Sequence, residues 1–148
     1  MDSKFTFAWD NIGVCYRQMD NYDKAIEAYK KSLAIDPKGK TPLQNLAVAY
    51  SFKKDYKNAL DTYEKMKLIY PDNPEADFGI GRIYTFYLLD MEKALNHICA
   101  AYILYTEQKS PYRTDAESVI SYIYAEMKKN KQEKEFMKIL KDHGISSE

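Results

Sequence analysis

The feature that most restricts this chain is a segment that recurs after 34 residues. From Trp9 to Pro37, small and large apolar residues stand at fixed offsets: Trp9, Ile12, Gly13 and Tyr16, then Tyr22, Ala25, Tyr29, Ser32 and Leu33. A polar break at Asp20-Asn21 divides them. Each half has helical spacing, so the unit is two short amphipathic helices back to back. Advancing by 34 places Asn11, Val14, Tyr16, Tyr22, Ala25, Tyr29, Lys31, Ile35 and Pro37 on identical residues, from Asn45 to Pro71, without a gap. Trp9, Ile12 and Gly13 become Leu43, Leu46 and Ala47 and keep their size class. Neither helix of such a pair can bury its face alone, so the chain must stack its pairs into an all-helical solenoid.

A period of this length, with W..IG..Y followed by Y..A...Y and a closing proline, resembles the tetratricopeptide repeat. The resemblance is close over residues 6–73, looser over 74–108 and faint beyond. It implies an all-α, right-handed α-solenoid of antiparallel helix pairs, about eight helices, with a concave face lined by the first helix of each pair. Residues 1–148 then form a single domain, with repeats at 6–39, 40–73 and 74–108, the last carrying a one-residue insertion, and a degenerate capping repeat at 111–144.

The spacing predicts helices from Asp2-Ser3 to about 19, then at 22–35, 42–53, 56–69, 74–88, 91–108, 111–129 and 131–142. Thr41-Pro42, Asn73-Pro74 and Ser110-Pro111 each read as a capping residue followed by proline at the first helical position. Gly13 costs about 1 kcal/mol of helix propensity against alanine, and a close approach to Ala25 would offset it. The inserted residue of the third pair is expected to lengthen the turn at Leu89-Asp90. In the fourth pair Ile120, Ser121 and Tyr124 take the offsets of Ile12, Gly13 and Tyr16. Phe136, Met137, Ile139 and Leu140 give the last helix one apolar face, as a terminal cap needs, and residues 145–148 are expected to fray.

Charge excludes several classes of function. Lys plus Arg and Asp plus Glu both number 22, so no bulk field draws the chain to nucleic acid or an anionic membrane. Lys128, Lys129, Lys131 and Lys134 are interleaved with Glu126, Glu133 and Glu135 and read as a salt-laced surface. No apolar run approaches the roughly 18 residues of a membrane span, and the N-terminus lacks a signal-peptide pattern, so a cytoplasmic chain is expected. Cys15 and Cys99 lack metal or redox spacing and read as buried small apolar residues. His97 and Cys99, two apart on a helix, face different ways, and no nucleophile, zinc or phosphate-loop motif is present. No enzyme activity, metal or cofactor is expected.

The resemblance places a ligand surface on the first helices. It comprises Asn11, Val14 and Arg17, then Gln44, Asn45, Val48 and Phe52, then Phe78, Gly79, Arg82 and Phe86, and Tyr122 in the fourth pair. Apolar members offer pockets, Asn11, Gln44 and Asn45 can hold a peptide backbone, and Arg17 and Arg82 can pair with a carboxylate. Gly79 stands where Asn11 and Asn45 stand, and either leaves a notch between Phe78 and Arg82 or marks an undemanding position. A protein or peptide partner follows. Relatives that grip the C-terminal tails of heat-shock chaperones use a clamp of Lys, Arg and Asn, and here its positions hold Asp10, Val14, Asn45, Glu75 and Gly79, of which only Asn45 fits. That tail is therefore not the expected ligand. Separately, Phe5, Ala8, Ile12, Cys15 and Met19 make an apolar stripe on the first helix. Nothing earlier in the chain covers it, which implies a partner, a homodimer or further repeats.

Overall fold

The turns inside the first three helix pairs are built the same way, and those turns set where the helices lie. The computed structural model describes residues 3–145, so the Asp2 cap and residues 146–148 of the expected frayed end lie outside it. Its helices are α1 (Ser3–Gln18), α2 (Tyr22–Ile35), α3 (Lys40–Phe52), α4 (Tyr56–Ile69), α5 (Pro74–Ile83), α6 (Met91–Glu107), α7 (Arg113–Lys129) and α8 (Glu133–Asp142). A π turn, Tyr84–Leu88, continues α5. The architecture is all-α, eight helices in sequential antiparallel pairs. They gather into two compact units, Met1–Pro71 and Asp72–Glu148. No helix among the described residues is long and apolar enough to cross a membrane.

In the first three pairs the joint is one left-handed residue followed by one capping residue. Asp20, Lys54 and Leu89 have φ of 57°, 66° and 57°. The next residues, Asn21, Asp55 and Asp90, accept the orphan N–H of Lys24, Asn58 and Lys93 at 3.2, 3.3 and 3.1 Å. Their own backbone N–H groups donate back to the carbonyls of Tyr16, Tyr50 and Tyr84, at 2.8, 2.9 and 3.0 Å. In the first two pairs that bond closes a Schellman-type helix end, and in the third its counterpart spans one residue more. At the other ends, Asp36 and Tyr70 adopt φ of −129° and −127°, because a residue before proline is driven out of the helical region.

The inserted residue does not lengthen the third turn. Leu89 and Asp90 form the same two-residue joint as in the earlier pairs, and the extra residue lies between Tyr84 and Leu89, where it is absorbed as the π turn. The return bond to the tyrosine carbonyl is kept but spans six residues instead of five, with the π turn inside it.

Two of the expected helix starts differ. Asn73 caps α5 as expected, accepting the Glu75 N–H at 2.9 Å with Pro74 at the first position. Helix α3, however, begins at Lys40 with Gly39 as its cap and places Pro42 inside its first turn. The first four N–H groups of a helix have no internal acceptor, so proline is tolerated there beyond the first position. Ser110-Pro111 forms a turn whose serine hydroxyl accepts the Tyr112 N–H at 3.3 Å, and α7 starts two residues later.

The atoms nearest the glycines belong to larger residues than the alanine expected opposite Gly13. A Cβ on Gly13 would lie 2.4 Å from Cε1 of Tyr29, and one on Gly81 would lie 2.4 Å from Cδ1 of Ile98 and 3.2 Å from its backbone nitrogen. Tyr29 and Ile98 occupy the same repeat position once the insertion is counted, and both are fully buried. Ala25, Ala59 and Ala94 are buried too, one turn before the residues in contact. Burying a ring or branched side chain returns roughly 1.5–3 kcal/mol, enough to offset the propensity lost at glycine.

In the second unit Ala94, Leu95, Ile98 and Cys99 share a core with Ala116, Val119, Ile123 and Met127 of α7 and Phe136, Ile139 and Leu140 of α8. The fourth pair is displaced from the expected offset. Its turn bond runs from the Gln132 N–H to the Met127 carbonyl, three residues beyond Tyr124, and Ser121 is exposed rather than in the glycine position. Met137, expected on the buried face of α8, is exposed. Cys99 is buried as expected, and burial pushes its thiol up to about 12. Cys15 instead is exposed, on the face of α1 that α2 and α3 leave open.

Gly81→Ala should therefore destabilise the chain by about 1–3 kcal/mol despite alanine's better helix propensity. In an Ile98→Ala background the same change should cost at least about 1 kcal/mol less, which a urea-denaturation double-mutant cycle would measure.

Candidate functional site

In the first unit the candidate residues sit on α1 and α3, which are the first helices of their pairs. The Arg17 Nη1 group donates to Asn45 Oδ1 at 3.4 Å and links the two helices. Asn11 is exposed around this link, and Val14, Gln44 and Val48 are half-buried. The surface thus alternates side-chain amides with short aliphatic groups. Phe52 is 56% exposed, but one face of its ring is taken: it stacks on Tyr22 at 5.6 Å and 10°, covering the start of α2.

Beneath the stripe lies a polar cluster. Asp10 is half-buried beside Ser32, and burial holds its carboxyl above the usual range, with the Ser32 hydrogen bond acting against that rise. Asp10 Oδ1 and the Tyr29 hydroxyl are both buried without a hydrogen-bond partner among the described residues. The Tyr29 hydroxyl is pushed up by burial first, and the Arg17 charge opposes this while Asp10 and Cys15 add to it. A helix link and a buried carboxyl thus share one small region of α1.

In the second unit Phe86 and Tyr122 are 41% and 43% exposed, with ring centroids 5.3 Å apart, so the π turn and α7 meet at this pair. Phe78 is committed elsewhere. Its half-buried ring meets Tyr105 edge-on at 5.9 Å, and the exposed Arg82 places its guanidinium 5.8 Å from the ring centre. Gly79 is half-exposed between them on α5. Tyr105 donates its hydroxyl to Glu75 Oε1 at 2.9 Å, and its ionisation is pushed up by burial and then by the Glu75 charge.

One pair escaped the sequence analysis. Asp77 is 3% exposed, and its Oδ1 lies 2.9 Å from Nδ1 of His97, whose ring stacks on Tyr84 at 6.2 Å. Asp77 stands at the repeat position of Trp9 and Leu43, and His97 at that of Ala28 and Thr62. The signal was a charged residue at a large apolar position, with its compensating change on the partner helix.

The stripe on α1 is open to solvent. Phe5 and Met19 are 60% and 65% exposed, Ile12 is 39% exposed, and Ala8 and Cys15 are exposed.

Family models described as tetratricopeptide repeat match residues 7–38 and 42–73. No curated protein matches the chain. Among solved structures, the chain is similar to the first such domain of Spaghetti (RPAP3) bound to the HSP90 peptide SRMEEVD, with TM-score 0.68 and 22% identity over 83% of this chain and 96% of that one. PcrH in complex with the chaperone-binding region of PopD gives TM-score 0.76 and 16% identity over 85% and 96%. The Sgt2 domain from Aspergillus fumigatus gives 0.69 and 22% over 82% and 81%. At these identities the likeness concerns the fold.

Because burial raises the Asp10 carboxyl, the folded chain binds more protons than the unfolded chain just above the usual aspartate range, and stability falls there as pH rises. Asp10→Asn removes the ionisation and keeps an oxygen toward Ser32. It should melt higher than the wild type at neutral pH, with the gap closing as pH falls through the ordinary carboxylate range, in thermal melts run across that series.

Proposed function

This chain is a tetratricopeptide repeat protein, and we propose that it acts as a non-catalytic interaction module holding a peptide segment of a protein partner on its first-helix faces. The observation that carries this is the Arg17–Asn45 link, which fixes α1 beside α3 while Asn11, Val14, Gln44 and Val48 remain reachable. Side-chain amides carry both a donor and an acceptor, so they can pair with a peptide N–H and C=O at once. The aliphatic groups between them supply shallow apolar contacts that set side-chain preference. The Phe86–Tyr122 ring pair offers the second unit a comparable half-exposed apolar contact. Two of the similar solved structures hold peptide segments of other proteins, which supports this mode of action.

We further propose that the acidic chaperone tail is not the ligand. At the clamp positions Asp10 and Glu75 bring negative charge and Gly79 no charge where such a tail needs cations, and Val14 lacks the side-chain amide wanted there. Glu75 is already bound to the Tyr105 hydroxyl, and Asp10 is half-buried. The favoured segment carries uncharged or mixed side chains.

A second mode of association rests on a different observation, the open stripe of Phe5, Ala8, Ile12, Cys15 and Met19 on α1. A face of that kind is suited to a second copy of this chain or to another helix.

In fluorescence polarisation, peptides selected from an array should lose about tenfold in affinity when Arg17→Ala and Asn45→Ala are combined, and SRMEEVD should bind no better than about millimolar. Micromolar SRMEEVD binding that Arg17→Ala abolishes would remove the exclusion of the acidic tail. Light scattering separates the second mode: any self-association should disappear in Phe5→Asp while array-peptide binding persists.

A further inference from the structure

The absorbed insertion exposes a surface that the first two pairs lack. Between the tyrosine carbonyl and the left-handed residue, those pairs carry Arg17, Gln18 and Met19, and Ser51, Phe52 and Lys53. The third carries Thr85, Phe86, Tyr87 and Leu88, followed by Leu89. Thr85 turns inward, fully buried, and donates to the Gly81 carbonyl at 2.7 Å. The next four side chains are 41%, 54%, 44% and 66% exposed. Successive helical residues point to different sides, so one inward residue leaves a run of apolar neighbours in solvent. Runs of that kind are rare on a surface with no partner.

Leu89 adds an independent observation. Its backbone is left-handed like that of Asp20 and Lys54 at the same joint, but where they carry charged side chains it carries an apolar one that is mostly exposed. Beside it opens a hollow of about 430 Å³ lined by Leu88, Leu89 and Met91, with Asp90, Glu92, Asn130 and Gln132 around them. The charged lining groups are both acidic. Asp90 caps α6 and faces the Lys93 ammonium at 3.8 Å, whereas the exposed Glu92 carboxylate has no ion-pair partner among the described residues. The exposed Lys131 follows Asn130 in the chain but does not line the hollow.

We propose that this hollow is a second docking site, apart from the first-helix faces, for a short partner segment presenting a leucine-sized aliphatic side chain beside a lysine or arginine. The aliphatic group would enter among Leu88, Leu89 and Met91, and the cation would meet Glu92. Acidic lining disfavours an anionic membrane as the occupant and favours a basic peptide. The inference does not depend on peptide binding at α1 and α3.

The test is an NMR titration of the full chain with the blocked tetrapeptide Gly-Leu-Lys-Gly, against Gly-Leu-Glu-Gly and Gly-Ser-Lys-Gly. Amide shifts should move at residues 88–92 and 130–132 with the first peptide, at least about threefold more tightly than with either control. Leu89→Gly removes the side chain and relaxes the backbone, so it should melt no lower than the wild type and weaken binding at least about fivefold. Glu92→Lys should reverse the preference to the glutamate peptide. The proposal is overturned by unmoved shifts at millimolar peptide, by equal response to the Leu-Glu peptide, or by wild-type binding in Leu89→Gly. Perturbation confined to residues 11–52 would also overturn it, while leaving binding at α1 and α3 standing.

Discussion

Everything in both units depends on how closely the two helices of a pair can approach. At Gly13 the space a methyl would need is filled by the Tyr29 ring, and at Gly81 by the Ile98 side chain, with the Ile98 backbone only 3.2 Å from the missing carbon. Dense packing makes such contacts discrete rather than adjustable. The large residue on the second helix can be buried completely only because the first helix has no side chain opposite. In the second pair Ala47 and Tyr63 take the repeat positions of Gly13 and Tyr29, and both are buried. The position therefore admits a small residue, while the site at Gly81 leaves no room for one.

The second constraint is the backbone bond from the capping residue to a tyrosine carbonyl. It falls on the carbonyl of the recurring tyrosine in each of the first three pairs, at Tyr16, Tyr50 and Tyr84. What repeats mechanically is a helix end: one left-handed residue, one carboxylate or amide cap, and a return bond near 3 Å. Asp20, Lys54 and Leu89 differ completely as side chains because the joint uses their backbones. When the chain gains a residue, the joint is preserved and the helix end yields. The consequence is chemical as well as geometric, since the widened end presents Phe86 to Leu89 to solvent.

The candidate binding faces follow from the same scaffold. Arg17 and Asn45 meet because α1 and α3 are brought together, and their link leaves amides and aliphatic groups at the surface. The buried Asp10 oxygen and Tyr29 hydroxyl beneath them are a local cost. In the second unit the Asp77–His97 pair puts a polar contact at the repeat positions of Trp9 and Ala28 and of Leu43 and Thr62, and the imidazole meets the buried carboxylate.

The repeat period by itself determined the helix count and the bounds of α2 and α4 to the residue, because three-and-four spacing and a proline stop are local properties of the chain. Residue type also determined that Gly13 marks a close approach. What each glycine faces was decided by tertiary structure, since the neighbour across a pair depends on rotation and rise that spacing along one strand of sequence does not carry. The same holds for Pro42 inside a first turn, for Cys15 in solvent, for Phe52 stacked on Tyr22, and for the insertion taken up in a helix rather than a turn. Local patterns encode which face of a helix is apolar. Only packing selects the partner of each side chain, because contact energies are set by atoms far apart in sequence.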